Sequence, residues 1–309
     1  MARRTLMDII REDVEFASQD TLCRAWLYRP QPADAGARPC IVMAHGLGGT
    51  RDAGLEPYAR KFCAAGFLVL LFDYRHFGAS DGEPRQLLSV SRQLDDWAAA
   101  IAFARALPGA DARRIALWGS SFSGGHVIVA AVRDGRIAAV SAQGPMMDGL
   151  AAVANLLRYA GPVNLLKLSA IGLRDRIGSL LGHAPVYVPL VAPPGSVAAM
   201  SSHDAERGYR AITPAGWRNE MTARTALELG LYRPIVHAGR LRCPVLIGVC
   251  LQDSVAPASA AIRLAEQLGE YAELRQYDFG HFDIYVGDGF ERSSSDQLDF
   301  FRRQLLPAA

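Results

Sequence analysis

The sequence predicts an α/β fold: a mostly parallel β-sheet with helices on both faces and a helical cap inserted into it. Three observations lead there. Short continuous apolar runs alternate with helical segments through residues 39–140 and resume at residues 243–277, as strands joined by right-handed helical crossovers do. Between them, residues 146–240 lose that alternation and read mainly as helix. Finally, Ile115-Ala-Leu-Trp-Gly-Ser-Ser-Phe-Ser-Gly-Gly-His126 sets a serine in a corner of small residues between a strand and a helix.

Residues 14–16 and 21–27 alternate apolar and polar side chains around Ser18-Gln19-Asp20, which predicts an antiparallel hairpin. Residues 29–39 are rich in Pro, Ala and Gly and form a surface connection. The run Pro39-Cys-Ile-Val-Met-Ala-His45 suits a central strand covered on both faces, and it leads directly into a Gly-rich loop over residues 45–50. Residues 56–65 are helical and closed by Gly66, and residues 67–72 are another buried strand. Asp73 and Arg75 follow it, in a loop whose backbone they are expected to bond rather than take part in catalysis. A helix over residues 87–106 stops at Pro108-Gly109. Then come the strand of the serine corner, a helix to Arg133 ended by Asp134-Gly135, and a strand over residues 137–140. Within the cap, residues 151–159 and 165–181 are helical, and residues 184–195 and 212–216 are loops. Residues 243–250 restore the strand pattern, followed by a loop over 251–257, a helix over 259–268, a strand over 273–277, a loop over 278–282 and a closing helix near 294–305. The division is a core of residues 1–145 and 241–309, interrupted by a cap of residues 146–240.

The corner fits the nucleophile elbow, Gly-x-Ser-x-Gly, with Ser121 as nucleophile and Ser123 in place of the second glycine. A frame shifted by two residues would make Ser123 the nucleophile, but it lies a turn deep in the helix. A serine hydroxyl needs a base and a group that orients the base. His45 belongs to the Gly-rich turn, His126 sits inside a helix pointing away from the corner, and His183, His203 and His237 lie in the cap. His281 follows the last strand, with Gly280 freeing its loop, and is the candidate base. Asp253, at the end of an intermediate strand with Pro257 bracing its loop, is the candidate acid, with Asp148 as its rival. The order Ser121, Asp253, His281 differs from those of the chymotrypsin and subtilisin designs. The loop at residues 45–50 lacks the last glycine of a dinucleotide fingerprint, where Arg51 stands, and the Lys-Ser/Thr of a P-loop. It suits instead a turn that presents the Leu47 N–H beside that of Phe122, two donors for an oxyanion. Met146, Leu156, Leu157, Tyr159, Leu165, Leu168, Tyr187 and Trp217 are candidates for an apolar acyl pocket, or else for a small core within the cap.

Of the 309 residues half are hydrophobic, and 33 basic residues face 31 acidic ones. So balanced a chain, without runs of basic and aromatic residues, points away from nucleic acid. Acidic residues Asp8, Glu12 and Asp13 interrupt the apolar core a signal peptide would need, and no stretch approaches a membrane span. Five cysteines without a Cys-x-x-Cys pair argue against a disulfide framework or a zinc site, which makes the cytoplasm the expected location and EDTA insensitivity the expected behaviour.

Together, His45-Gly-Leu-Gly-Gly-Thr-Arg-Asp52, Phe72-Asp-Tyr-Arg-His-Phe-Gly-Ala-Ser80 with Gly82-Glu-Pro-Arg85, and Trp118-Gly-Ser-Ser-Phe-Ser-Gly-Gly-His126 resemble the α/β-hydrolase superfamily across residues 10–305. They are similar to dienelactone-hydrolase-like and S15-peptidase-like members and to its polyketide-transferase or thioesterase branch. The resemblance implies an eight-stranded α/β-hydrolase sheet, with the family's nucleophile on Ser121, acid on Asp253, base on His281 and oxyanion donors on Leu47 and Phe122. It implies a serine hydrolase that cleaves an ester or thioester of a small acyl substrate through an acyl-enzyme, without a cofactor. Acyl transfer to an alcohol or lactonisation stays open, as do a catalytically dead binding module and a homodimer. A dehalogenase is disfavoured, because its elbow would carry Asp.

Overall fold

A computed structural model describes residues 8–32 and 36–307. Most of the N-terminal stretch weighed as a signal peptide, and residues 33–35 of the 29–39 connection, lie outside the described residues. In chain order the elements are β1 (Ile9–Ser18), β2 (Thr21–Pro30), β3 (Arg38–Ala44), α1 (Glu56–Ala64), β4 (Leu68–Phe72), α2 (Val90–Ala106), β5 (Ala110–Ser120), α3 (Phe122–Asp134) and β6 (Ala139–Gln143). Then follow α4 (Gly149–Ala160), α5 (Pro162–Leu180), β7 (Tyr187–Val188), α6 (Ala205–Ile212), β8 (Met221–Thr222), α7 (Ala226–Leu229), β9 (Val245–Cys250), α8 (Ala258–Leu268), β10 (Ala272–Tyr277) and α9 (Gly287–Leu305).

Eight strands form one sheet in the order β1-β2-β4-β3-β5-β6-β9-β10. From β4 to β10 they run parallel, and β1 and β2 add an antiparallel edge. The burial patterns explain the arrangement. β4, β6 and β9 are buried at every residue, as strands covered on both faces must be. β1 alternates exposed and covered side chains, as an edge strand facing water does. On one face α1 and α9 bury Phe62, Phe67, Trp118 and Phe301; on the other α2, α3 and α8 bury Trp97, Ile101, Val127 and Leu264.

This order also locates the site. The chain winds from β3 to β4 in one direction and from β4 past β3 to β5 in the other, so the carboxyl ends of β3 and β5 flank the point where the winding reverses. Ligands bind at such a crevice. Residues 149–240, between β6 and β9, are less regular than their helical periodicity suggests. They hold α4 to α7 and also the two-stranded ribbon of β7, in a stretch expected to be loop, and β8, in one read mainly as helix.

Candidate active site

Ser121 stands between β5 and α3 with φ 57° and ψ −118°, a left-handed conformation that costs a non-glycine residue about 1–3 kcal/mol. The surroundings enforce it. Ser121 N–H donates to the Gln143 carbonyl at 2.8 Å, and its own carbonyl accepts from Gly124 and Met146 at 3.0 and 2.9 Å. A Cβ on Gly119 would lie 2.2 Å from the Ser123 carbonyl oxygen, so only glycine fits there. Position 123 carries a side chain without conflict because Ser123 Oγ meets Tyr74 Oη at 2.7 Å, and Trp97 Nε1 donates to that Tyr74 oxygen at 2.7 Å. Ser123 is thus buried in a bonded network under α3, away from the histidine at the corner.

His281 Nε2 lies 3.0 Å from Ser121 Oγ, and His281 Nδ1 lies 2.6 Å from Asp253 Oδ2. The other carboxylate oxygen, Oδ1, accepts from the N–H groups of Val255 and Ala256 at 2.8 and 2.6 Å, so Asp253 is fixed at both oxygens. Burial alone would favour a neutral imidazole. The Asp253 carboxylate, by its charge and hydrogen bond, and the charge of Asp204 outweigh that and hold His281 above its ordinary value. The rival acid is occupied elsewhere: Asp148 caps α4 through Leu150 N–H at 3.0 Å and pairs with Arg233 at 3.0 and 2.9 Å. His126 is bonded to Tyr232 Oη at 2.7 Å and Gln93 Oε1 at 3.0 Å, and burial lowers it to about 3. Asp73 accepts from the Arg51 and Ala79 N–H groups at 2.7 and 3.0 Å, the loop-bonding role expected of it.

The 45–50 turn runs against the corner so closely that a Cβ on Gly46 would lie 2.9 Å from Ser121 Cβ. Leu47 N–H has no acceptor among the described residues. Phe122 opens α3, where the first N–H groups of a helix have no intrahelical partner. His45 shapes the turn through Nδ1 and the Gly46 carbonyl at 3.0 Å, and burial lowers it to about 4, so it stays neutral.

Beside Ser121 opens a mainly apolar cavity. Leu47, Ser121 and Phe122 face it from the core, and Met146, Leu156 and Tyr159 line it as expected, with Met200, Leu229 and Val255. Five expected lining residues, Leu157, Leu165, Leu168, Tyr187 and Trp217, do not reach it. Tyr187 is held in the β7–β8 ribbon and donates its hydroxyl to the Arg85 carbonyl at 3.2 Å. Trp217 donates Nε1 to the Gly48 carbonyl at 2.9 Å and stacks on Tyr209 at 4.7 Å. Leu157 faces solvent, and Leu168 packs into the core on the inner side of α5.

Residues the sequence did not single out complete the surroundings. Tyr209, on α6, donates its hydroxyl to the Leu47 carbonyl at 2.5 Å. Asp204, just before α6, accepts from Ser202 Oγ at 2.9 Å and also from Ser254, the neighbour of Asp253. Gly208 lets α6 pack on Phe282, where a Cβ would lie 2.3 Å from the ring. One short helix therefore grips both the turn that carries Leu47 and the loops that carry Asp253 and His281. The Ser-Ser-His-Asp run before it was a readable helix start, but these partners are distant in sequence and left no local sign.

A parallel sheet wound in two directions, with a strained serine between strand and helix at its carboxyl edge, is that of an α/β hydrolase. The chain belongs to the hydrolase family described as serine aminopeptidase, S33, which matches residues 35–283. It is 47% identical over 293 residues to the quorum-quenching protein AidA of Acinetobacter baumannii, covering 94% of each chain. It is 30% identical over 307 residues to the polyketide transferase af380 of Aspergillus fumigatus, covering 96% of this chain and 99% of that one. Among solved structures, the α/β hydrolase GrgF from Penicillium superposes with a TM-score of 0.82 at 28% identity, covering 96% of this chain and 99% of that one. The similarity thus extends to the polyketide-transferase branch of the superfamily.

Proposed function

We propose that the protein is a serine acyl hydrolase that cleaves an ester, thioester or lactone of a small molecule with an apolar acyl chain. One observation carries this reading: Ser121 Oγ, 3.0 Å from an imidazole that Asp253 holds at 2.6 Å, opens onto an apolar cavity. In the reaction, His281 Nε2 takes the Ser121 proton as Oγ adds to the substrate carbonyl, and the imidazolium is stabilised by Asp253. The oxyanion is held by the Leu47 and Phe122 N–H groups. Collapse expels the leaving group with the proton from His281, and a water activated by the same imidazole releases the acid. Every step uses groups of this chain, and residues 146–240 act as the cap that shapes the acyl site.

The substrate class draws support from the names of relatives, one a quorum-quenching protein and another a thiohydrolase of Aspergillus aculeatus. The names of the polyketide transferases favour a second reading, in which an alcohol replaces water as acyl acceptor. Both use the same acyl-enzyme, and an inactive binding module would have no need of it. The test is product analysis over a series of acyl lactones, thioesters and esters, with and without a competing alcohol. Free acid as the main product in the presence of alcohol is expected; a new ester in its place would assign the transferase reading instead.

A further inference from the structure

We propose that α5 is a dimerisation helix, through which two copies of this chain pair antiparallel about a two-fold axis near its middle. The helix has two apolar faces. The inner one is anchored: Leu168 and Gly172 are buried, and Asp175 accepts from Val186 N–H at 2.8 Å and Arg224 Nε at 2.8 Å. Among the described residues the outer one has no partner. Val163, Leu166, Leu173, Ile177 and Leu180 are between 50% and 75% exposed, and Ala170 is exposed with them. Their spacing of 3, 4, 3, 4 and 3 residues is the narrow seam of one helix laid against another, not the wide stripe of a helix facing a core.

That seam is complementary to itself. In an antiparallel pair Val163 meets the partner's Leu180, Leu166 meets the partner's Ile177, and the small Ala170 sits beside the partner's Leu173 near the axis. Five large aliphatic side chains, each at least half exposed along one helix, make an apolar stripe of the kind that a specific interface covers. The flanks are basic: Lys167, Arg174 and Arg176 are exposed, and Asp175, the one acid in α4 and α5, is buried against Arg224. Pairing brings Lys167 toward the partner's Arg174, so salt, which screens this repulsion, tightens the dimer. A basic apolar helix lying on an anionic bilayer would be released by salt instead.

Sedimentation velocity of the full chain between 1 and 100 µM, in low and high salt, reads the mass directly. The expected result is twice the chain mass, with tighter association in high salt. Leu166→Glu with Ile177→Glu is expected to give a monomer with the native circular dichroism spectrum, while Leu231→Glu, at an exposed apolar site off α5, stays dimeric. The native cysteines are all buried, so single introduced cysteines report the register. A mixture of Val163→Cys and Leu180→Cys proteins should crosslink under mild oxidation far more than Val163→Cys alone. A monomer at every concentration, a dimer that survives the double substitution, or a monomer that binds phosphatidylserine vesicles through α5 would each overturn the proposal.

Discussion

The cavity has two walls built on different terms. On the core side, the carboxylate oxygens of Asp253 and the ring nitrogens of His281 all have partners, the strained Ser121 backbone is bonded at both N–H and carbonyl, and glycines admit only one path for the chain. On the opposite side α4, α7 and residues 199–202 contribute Leu156, Tyr159, Leu229 and Met200, side chains placed by apolar contact. A wall fixed by hydrogen bonds holds reacting atoms to a few tenths of an ångström, whereas a wall of apolar side chains can change shape at modest cost. On the proposed reading, chemistry therefore belongs to the first and substrate choice to the second.

Substitutions on the two walls should separate accordingly. The largest effect is expected on the core side: Ser121→Ala, His281→Ala or Asp253→Asn should each lower kcat by about 10⁴-fold or more without unfolding the protein. Steady-state kinetics with a chromogenic ester and a circular dichroism melt check both halves. Across the cavity, Leu156→Trp should leave acetyl esters nearly untouched and lower kcat/KM for long-chain esters by about 10- to 200-fold, the range of a filled apolar pocket. An equal loss on short and long chains would remove the distinction between the walls.

The pH profile probes the core wall alone. The imidazole must be neutral to act as base, and Asp253 and Asp204 hold its proton more tightly than in free histidine. So kcat/KM should rise with pH through a midpoint above 6.5, and Asp204→Asn should move that midpoint down. A midpoint below 6.5 would mean that burial dominates. Tyr209→Phe removes the bond to the Leu47 carbonyl and should lower kcat by about tenfold with little change in KM, the scale of one hydrogen bond. The smallest effect is reserved for Asp148→Ala, which loses a helix cap and costs about 1 kcal/mol of stability in a denaturant titration while leaving the pH profile intact.

Elements whose partners lie close in sequence, or whose burial imposes a pattern, were legible in advance. The buried strands, the small-residue corner and the loops after β9 and β10 announced where Ser121, Asp253 and His281 would stand, because strand ends in a parallel sheet meet at one edge. Helical periodicity likewise marked α4 and α5, but it could not say which apolar side chains turn inward. Leu156 and Leu157 are neighbours of the same type, and one lines the cavity while the other faces solvent. Tyr187 and Trp217 were misjudged for a related reason. Each has a polar atom that seeks a backbone carbonyl, and the carbonyls they found, of Arg85 and Gly48, lie 102 and 169 residues away in the chain. The grip of α6 on the Leu47 turn and on the loops of Asp253 and His281 was out of reach in the same way.

The central claim is that the Ser121 oxygen forms the covalent bond to the acyl group. Treatment with a fluorophosphonate followed by peptide mass spectrometry tests it most directly. The account predicts one stoichiometric adduct on Ser121, slowed at low pH and absent from Ser121→Ala; an adduct on Ser123, or undiminished ester turnover by the Ser121→Ala protein, would contradict it.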